Sequence, residues 1–156
     1  MIEETSRKGL KGMIVKAVET DKEMNDALYV RSVVFVEEQH VPVELEIDEH
    51  ENHAIHFIVY NDEEKPIGAG RLRKVDNGGK IERISVLREF RNKGLGRLLM
   101  QKIEQTAKEK QWLPLLLNAQ IQVETFYKSL GYSTCSETFM EAGIPHVSMK
   151  KVNFGS

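Results

Sequence analysis

Between Gly94 and Lys110 the apolar residues Leu95, Leu98, Leu99, Ile103 and Ala107 recur at three- and four-residue steps, the spacing that gathers side chains on one face of a helix. Helical spacing also joins Met24, Leu28, Arg31 and Phe35, in a stretch that Asp21 caps and that runs through about Glu38. A third helical stretch covers Ile121 to Leu130. Other segments are short and either alternating or apolar, as strands are: Met13 to Glu19, Ala54 to Tyr60, Ile67 to Val75, Lys80 to Leu87, Leu113 to Asn118, Tyr132 to Met140 and His146 to Val152. Asn61 to Pro66 reads as a hairpin connection and Asp76-Asn77-Gly78-Gly79 as a turn, while Val41 to Asn52, with Pro42, forms a connecting loop. The predicted order is β-α-β-β-β-α-β-α-β-β, a mixed α/β fold.

A chain of 156 residues with 40% hydrophobic content suits one domain, 1–156, with residues 1–11 as a flexible tail. No apolar run approaches the roughly 18 to 20 residues of a membrane span, and Met1 to Gly12 lacks a signal-type apolar core. A cytoplasmic protein without a membrane partner is expected. The single cysteine, Cys135, allows no internal disulfide and no metal cluster, and reads as a small strand residue. A net charge of −2 argues against a nucleic-acid binder. The charge is unevenly placed, however. Glu37, Glu38, Glu44, Glu46, Asp48, Glu49 and Glu51 form an acidic stretch that would attract an amine, or else a solvated loop.

Basic residues crowd the other way, at Arg88, Arg91, Lys93 and Arg97 around Arg91-Asn92-Lys93-Gly94-Leu95-Gly96. This segment joins a strand to a helix. Its glycines let a ligand approach the backbone, and the helix start offers unpaired N–H donors to an anion such as pyrophosphate. A Walker loop requires Ser or Thr after Gly-Lys, which Arg97-Leu98 does not supply. A dinucleotide fingerprint requires a small third residue and a later acidic one, whereas Leu99 and Leu115-Leu116-Leu117 stand there. The remaining pattern, Arg-x-x-Gly-x-Gly after a strand, resembles motif A of the GNAT N-acetyltransferase superfamily. Phe126-Tyr127, followed by Gly131-Tyr132, resembles its motif B, in the order and at the separation the family uses. Arg31 to Gln39, Val41-Pro42, Glu46-Ile47-Asp48, His56 and Gly143-Ile144-Pro145-His146 look like the bacterial YjcF/ElaA-like branch.

The resemblance implies the GNAT fold: a central, mostly antiparallel mixed sheet of about seven strands flanked by helices, with a splayed parallel pair in its middle. It implies acetyl-CoA as co-substrate, no metal, and direct transfer to a small-molecule or peptide amine in a ternary complex. Ile84, Ser85 and Val86 would then meet the pantetheine arm, and Arg91, Asn92, Lys93, Gly94, Leu95, Gly96 and Arg97 the pyrophosphate. Gln120 stands where many members have a cofactor-contacting asparagine, with Asn118 nearby. Tyr127 corresponds to the family tyrosine that faces the cofactor sulfur as general acid; alone it would read as a core tyrosine. Family habit also allows a homodimer through the terminal strands. A non-catalytic acyl-CoA-binding module is the alternative of a different class.

For a general base, Glu82 shares strand parity with Ile84 and Val86, which would turn it to the cofactor side. A salt bridge to Arg71, Arg73 or Arg83 is its structural alternative. His53 and His56 are rivals, since imidazole titrates in the useful range. Arg31, Phe35, Glu38, Gln39 and His56 would read the acceptor, with an Arg31–Asp48 staple as the structural alternative for Arg31. His146 would face the acceptor or pack beside the last strand.

Overall fold

The computed structural model describes residues 10–155. Its strands are β1 (Ile14–Ala17), β2 (Ile55–Tyr60), β3 (Pro66–Val75), β4 (Gly78–Val86), β5 (Leu115–Gln120), β6 (Ser133–Thr134), β7 (Phe139–Glu141) and β8 (Ile144–Lys151). Its α-helices are α1 (Asp21–Arg31), α2 (Val43–Glu46), α3 (Leu95–Lys110) and α4 (Glu124–Ser129). One sheet of 8 strands runs β1-β2-β3-β4-β5-β8-β6, with β7 also on β8. Every pairing is antiparallel except β4 with β5. The expected tail, residues 1–11, lies mostly outside the described residues. Leu10, the first described residue, packs against the core.

The extra strand arises because 132–140 does not pair continuously. The Cys135 N–H donates to the Ser148 carbonyl at 2.8 Å, but the Ser148 N–H turns to Ser136 Oγ at 2.8 Å. A side-chain acceptor thus replaces a ladder partner, and the segment splits into β6 and β7. The first helix also departs from expectation at both ends. Thr20 caps it in place of Asp21: its hydroxyl accepts the Glu23 N–H at 3.1 Å while the Glu23 carboxylate accepts the Thr20 N–H at 3.2 Å. That reciprocal pair is a capping box. After Arg31 the helix widens into a π-helical stretch, Ser32–Glu38, with Gln39 N–H bonded to the Val34 carbonyl at 3.1 Å. The β-branched residues Val33, Val34 and Val36 crowd an α-turn, which favours such a widening locally.

One face of the sheet is covered by α3, whose Leu95, Leu99, Met100, Ile103 and Ala107 are buried. The opposite face carries α1 and, unusually, a cluster of buried ions. Arg31 and Arg71 are both 0% exposed. Arg31 reaches Glu46 at 2.9 Å and both carboxylate oxygens of Glu51 at 2.9 and 2.7 Å. Arg71 clamps Asp48 at 2.8 and 3.0 Å and reaches Glu82 at 2.7 Å. The expected Arg31–Asp48 staple is therefore replaced: Arg31 holds Glu46 and Glu51, and Asp48 goes to Arg71 and Arg83. Three of the acidic side chains between Glu44 and Glu51, namely Glu46, Asp48 and Glu51, meet arginines, and Glu44 and Glu49 remain turned to solvent.

A buried charge stripped of its partner is strongly destabilising. Arg31→Leu is expected to lower unfolding free energy in urea by about 3–5 kcal/mol, whereas Lys22→Ala, at an exposed pair, should leave the urea midpoint nearly unchanged. Burial pushes the Glu51 carboxyl up, but Arg31, with Arg71 and the Asp48 N–H, outweighs it and lowers the carboxyl from 4.5 to about 2. A depressed carboxylate stabilises fully above its unfolded value and loses that contribution as pH falls. Wild-type stability should therefore decline between about pH 5 and 2, as measured by urea midpoints across that range.

Candidate active site

β4 and β5 stay together for only three register pairs, Gly79 with Leu115, Lys80 with Leu116 and Ile81 with Leu117. Beyond Ile81, β4 follows β3, with Ser85 opposite Ala69 and Val86 opposite Gly68. Beyond Leu117, β5 follows β8, with Ala119 opposite Val147 and Gln120 opposite His146. A bulge in β4 accompanies the divergence: Glu82 faces Arg71 and Ser85 faces Ala69, so β4 uses one residue more than β3. Arg83 takes up the excess at φ 60°. Bulges bend and twist the strand that carries them.

The bulge overturns the parity argument for Glu82. Residues two apart share a face only in an unbroken strand. Here Glu82 sits with Ser85 on one face while Ile84 lies on the other, where its Cδ1 would come within 2.9 Å of a Cβ at Gly70, beside Ile103 and Leu99 of α3. Glu82 turns toward the ion cluster instead, meeting Arg73 at 2.8 Å and Arg71 at 2.7 Å. Burial would raise its carboxyl, but Arg73 and Arg71 hold it below the usual carboxylate range. Its lone pairs are occupied and its basicity is low, the opposite of what a proton acceptor requires.

The diverging strands open a cleft of about 980 Å³. Ile84, Ser85, Val86, Arg91, Asn92, Gly94, Leu95, Gly96, Arg97, Asn118, Gln120 and Tyr127 all line it, as do Glu82, Phe35 and Gln39. Lys93 does not; its ammonium lies over the Phe90 ring at 5.8 Å. Arg31 and His56 do not line it either. Both belong to the buried cluster, where His56 Nε2 is 2.8 Å from the Glu51 carbonyl and burial lowers the imidazole pKa. His53 is exposed and lies off the cleft wall.

Backbone direction at the opening follows from one bond. The Leu87 N–H donates to the Ile67 carbonyl at 2.9 Å, so by alternation Val86 turns its N–H and carbonyl away from β3 and into the gap. The carbonyl is taken by Arg91 Nε at 2.8 Å. The rest of the Arg91 guanidinium grips Glu38 through two bonds of 2.7 Å, and this pairing holds the Glu38 carboxyl below its usual range. Arg91 is thus a tether to the end of the π-helical stretch as much as a positive charge. Gln39 makes a second tether, accepting from Gln120 at 2.9 Å.

The turn before α3 needs Gly94, which caps the helix at φ 85°. A Cβ there would meet nothing closer than 3.8 Å, so the requirement is conformational. Gly96 serves packing: its Cβ would sit 3.3 Å from Phe126 Cζ, at the contact between α3 and α4. Tyr127, next along α4, is 8% exposed, with its ring edge-on to Phe126 and Tyr132. Burial raises its phenol above the ordinary value of 10, so the hydroxyl keeps its proton through the neutral range. Glu141, Ile144 and His146 also line the cleft, as do Val41 and Leu45. Residue spacing gave no sign of Glu141, which sits where β7 turns into β8 through Ala142 and Gly143, at φ 52° and 77°.

This geometry has relatives. A family model described as an acetyltransferase (GNAT) domain matches residues 10–153. The chain belongs to the GNAT acetyltransferase family. It is 48% identical over 143 residues to the uncharacterized N-acetyltransferase YjcF of Bacillus subtilis (strain 168), covering 91% of this chain and 99% of that one. It is 30% identical over 130 residues to protein ElaA of Escherichia coli (strain K12), covering 80% and 84%. Among solved structures, Escherichia coli ElaA superposes with TM-score 0.79 at 25% identity, covering 89% of this chain and 99% of that one. An acyl-CoA N-acyltransferase from Pseudomonas aeruginosa superposes with TM-score 0.77 at 28% identity, covering 90% and 98%. Membership makes this GNAT protein an acyltransferase whose fold implies an acyl-CoA co-substrate. Among the described residues no group of three or more His, Cys, Asp or Glu could hold a metal ion, and no helix is long and apolar enough to cross a membrane.

Gly94→Ala tests the turn without filling the cleft. The strained φ alone is expected to cost about 1 kcal/mol in urea unfolding, and Gly94→Asn, which tolerates the left-handed region, should cost less.

Proposed function

We propose that this chain is an N-acetyltransferase that moves the acetyl group of acetyl-CoA directly to a primary amine, in a ternary complex, on a small-molecule or peptide acceptor met in the cytoplasm. The observation that carries the reading is the open V between β4 and β5, which ends at the first turn of a 16-residue helix and has Tyr127 on its wall. An extended amide-bearing arm fits such a gap because strand backbone facing it needs hydrogen-bond partners. The Val86 N–H is the donor available there. The amides from Asn92 to Arg97 suit a pyrophosphate, since a helix start presents unpaired N–H groups with a favourable dipole.

Acetyl-CoA would supply an activated thioester; the chain supplies position and protons. The Val86 N–H is suited to steady negative charge building on the carbonyl oxygen as the new N–C bond forms. Tyr127, protonated because it is buried, is suited to donate to the sulfur as the C–S bond breaks. The two tethers, Glu38 to Arg91 and Gln39 to Gln120, hold the acceptor wall against both lips of the opening. Asn118, on the cleft wall, also donates its amide to Glu141 at 3.0 Å.

Tyr127→Phe keeps the ring and removes the donor. Free-thiol release with acetyl-CoA and a panel of primary amines is expected to fall roughly 100-fold or more in kcat, with acetyl-CoA affinity by calorimetry unchanged. Wild-type binding without turnover on any amine would contradict the catalytic reading.

A further inference from the structure

With Glu82 tied to arginines and His56 outside the cleft, another group must take the proton of an incoming ammonium. His146 on β8 is 7% exposed and lines the cleft, with Phe139 stacked on its ring at 6.1 Å. Its Nδ1 lies 2.7 Å from the Ile144 carbonyl oxygen. A carbonyl can only accept, so Nδ1 carries the hydrogen and the neutral ring leaves Nε2 as a bare lone pair. That lone pair faces Glu141 Oε2 at 3.7 Å.

When the ring is neutral, these two acceptors have no hydrogen between them and call for a donor. Glu141 is oriented by Asn118: its Oε1 accepts from Asn118 Nδ2 at 3.0 Å, and Asn118 Oδ1 accepts from Ser148 Oγ at 3.0 Å. A second oxygen is thereby left turned to His146. Of the elements around the ring, β5 offers the neutral Gln120 opposite His146, β7 offers apolar Phe139 and the charged Glu141, and Glu141 is the charged group within 4.0 Å among the described residues.

We infer that His146 Nε2 and Glu141 Oε2 form the docking and deprotonation site for the acceptor ammonium, a role that rests on the acetyltransferase reading above. Both lone pairs receive an N–H of R–NH₃⁺. One N–H bond then breaks and an Nε2–H bond forms, its electron pair staying on the amine nitrogen as the nucleophile. The resulting imidazolium is held by Glu141 on one side and the Ile144 carbonyl on the other. A primary amine meets both acceptors and, once deprotonated, turns about its C–N bond to aim the freed pair at the thioester carbon; the two-point contact selects this acceptor class over alcohols, whose single O–H cannot bridge the pair.

Histidine ¹⁵N NMR tests the site without any turnover. His146 is expected in the Nδ1–H form when neutral; an Nε2–H form overturns the proposal. Kinetics with acetyl-CoA and a primary amine that the wild type acetylates provide the second arm. Both His146→Gln and the exposed-site variant Glu141→Gln should lower kcat/KM for the amine near neutral pH, the former by roughly 100-fold, with recovery at high pH where the amine is already neutral. The KM for acetyl-CoA should stay unchanged. Loss that is equal at every pH, or no loss, overturns the proposal alone. A wild type that transfers acetyl to no amine overturns the acetyltransferase reading and the proposal with it, whatever the tautomer.

Discussion

Three register pairs of parallel ladder, and then none, are the constraint from which the rest of this molecule follows. A sheet normally satisfies the backbone of each strand from both sides. Past Ile81 and Leu117 the chain gives up that pairing in the middle of its sheet, where the cost of unpaired groups is greatest. The structure meets part of this cost locally, with Arg91 Nε on the Val86 carbonyl. What is left is a slot with strand backbone along its edge, which the proposed reading assigns to an extended amide-bearing ligand.

Holding such a slot open requires each strand to be anchored on its outer side. β5 is anchored by six register pairs to β8, and β4 by β3 and by the ions beneath it. Glu82, just before the bulge, is gripped by Arg71 and Arg73, and Arg83, at the bulge, holds Glu46 and Asp48. Buried ion pairs contribute little net stability compared with apolar packing, because desolvation offsets their attraction. Their directional bonds fix where the loop from Val43 to Glu51 lies and which way β4 bends. The π-helical widening has a related effect. It places the adjacent residues Glu38 and Gln39 so that one reaches the lip of β4 and the other the lip of β5.

Much of this was legible before any coordinates. Strong periodicity made α3 unmistakable, and the strand order around the glycine turn followed from alternation and turn residues. Between Ile84 and Arg97 the expected residues other than Lys93 line the cleft, because their position depends on element boundaries that local sequence shows. Side-chain partnerships across the fold were not legible. Arg31 finds Glu46 and Glu51 in place of Asp48, and Arg91 finds Glu38 across 53 residues. An acidic run looks the same in sequence whether it faces solvent or arginines. The bulge was equally hidden: nothing about Arg83 announces a left-handed conformation, and one extra residue sent Glu82 to the other face. The Ser136 hydroxyl that splits β6 from β7, and the turn that presents Glu141, escaped for the same reason.

Amide hydrogen exchange, with and without saturating CoA, addresses the open slot most directly. If the V between β4 and β5 receives the ligand, exchange should slow at Val86 and across Asn92 to Arg97, while amides of β1 and the outer end of α3 stay unaffected. Identical exchange at Val86 and at that turn in the two samples would contradict the account.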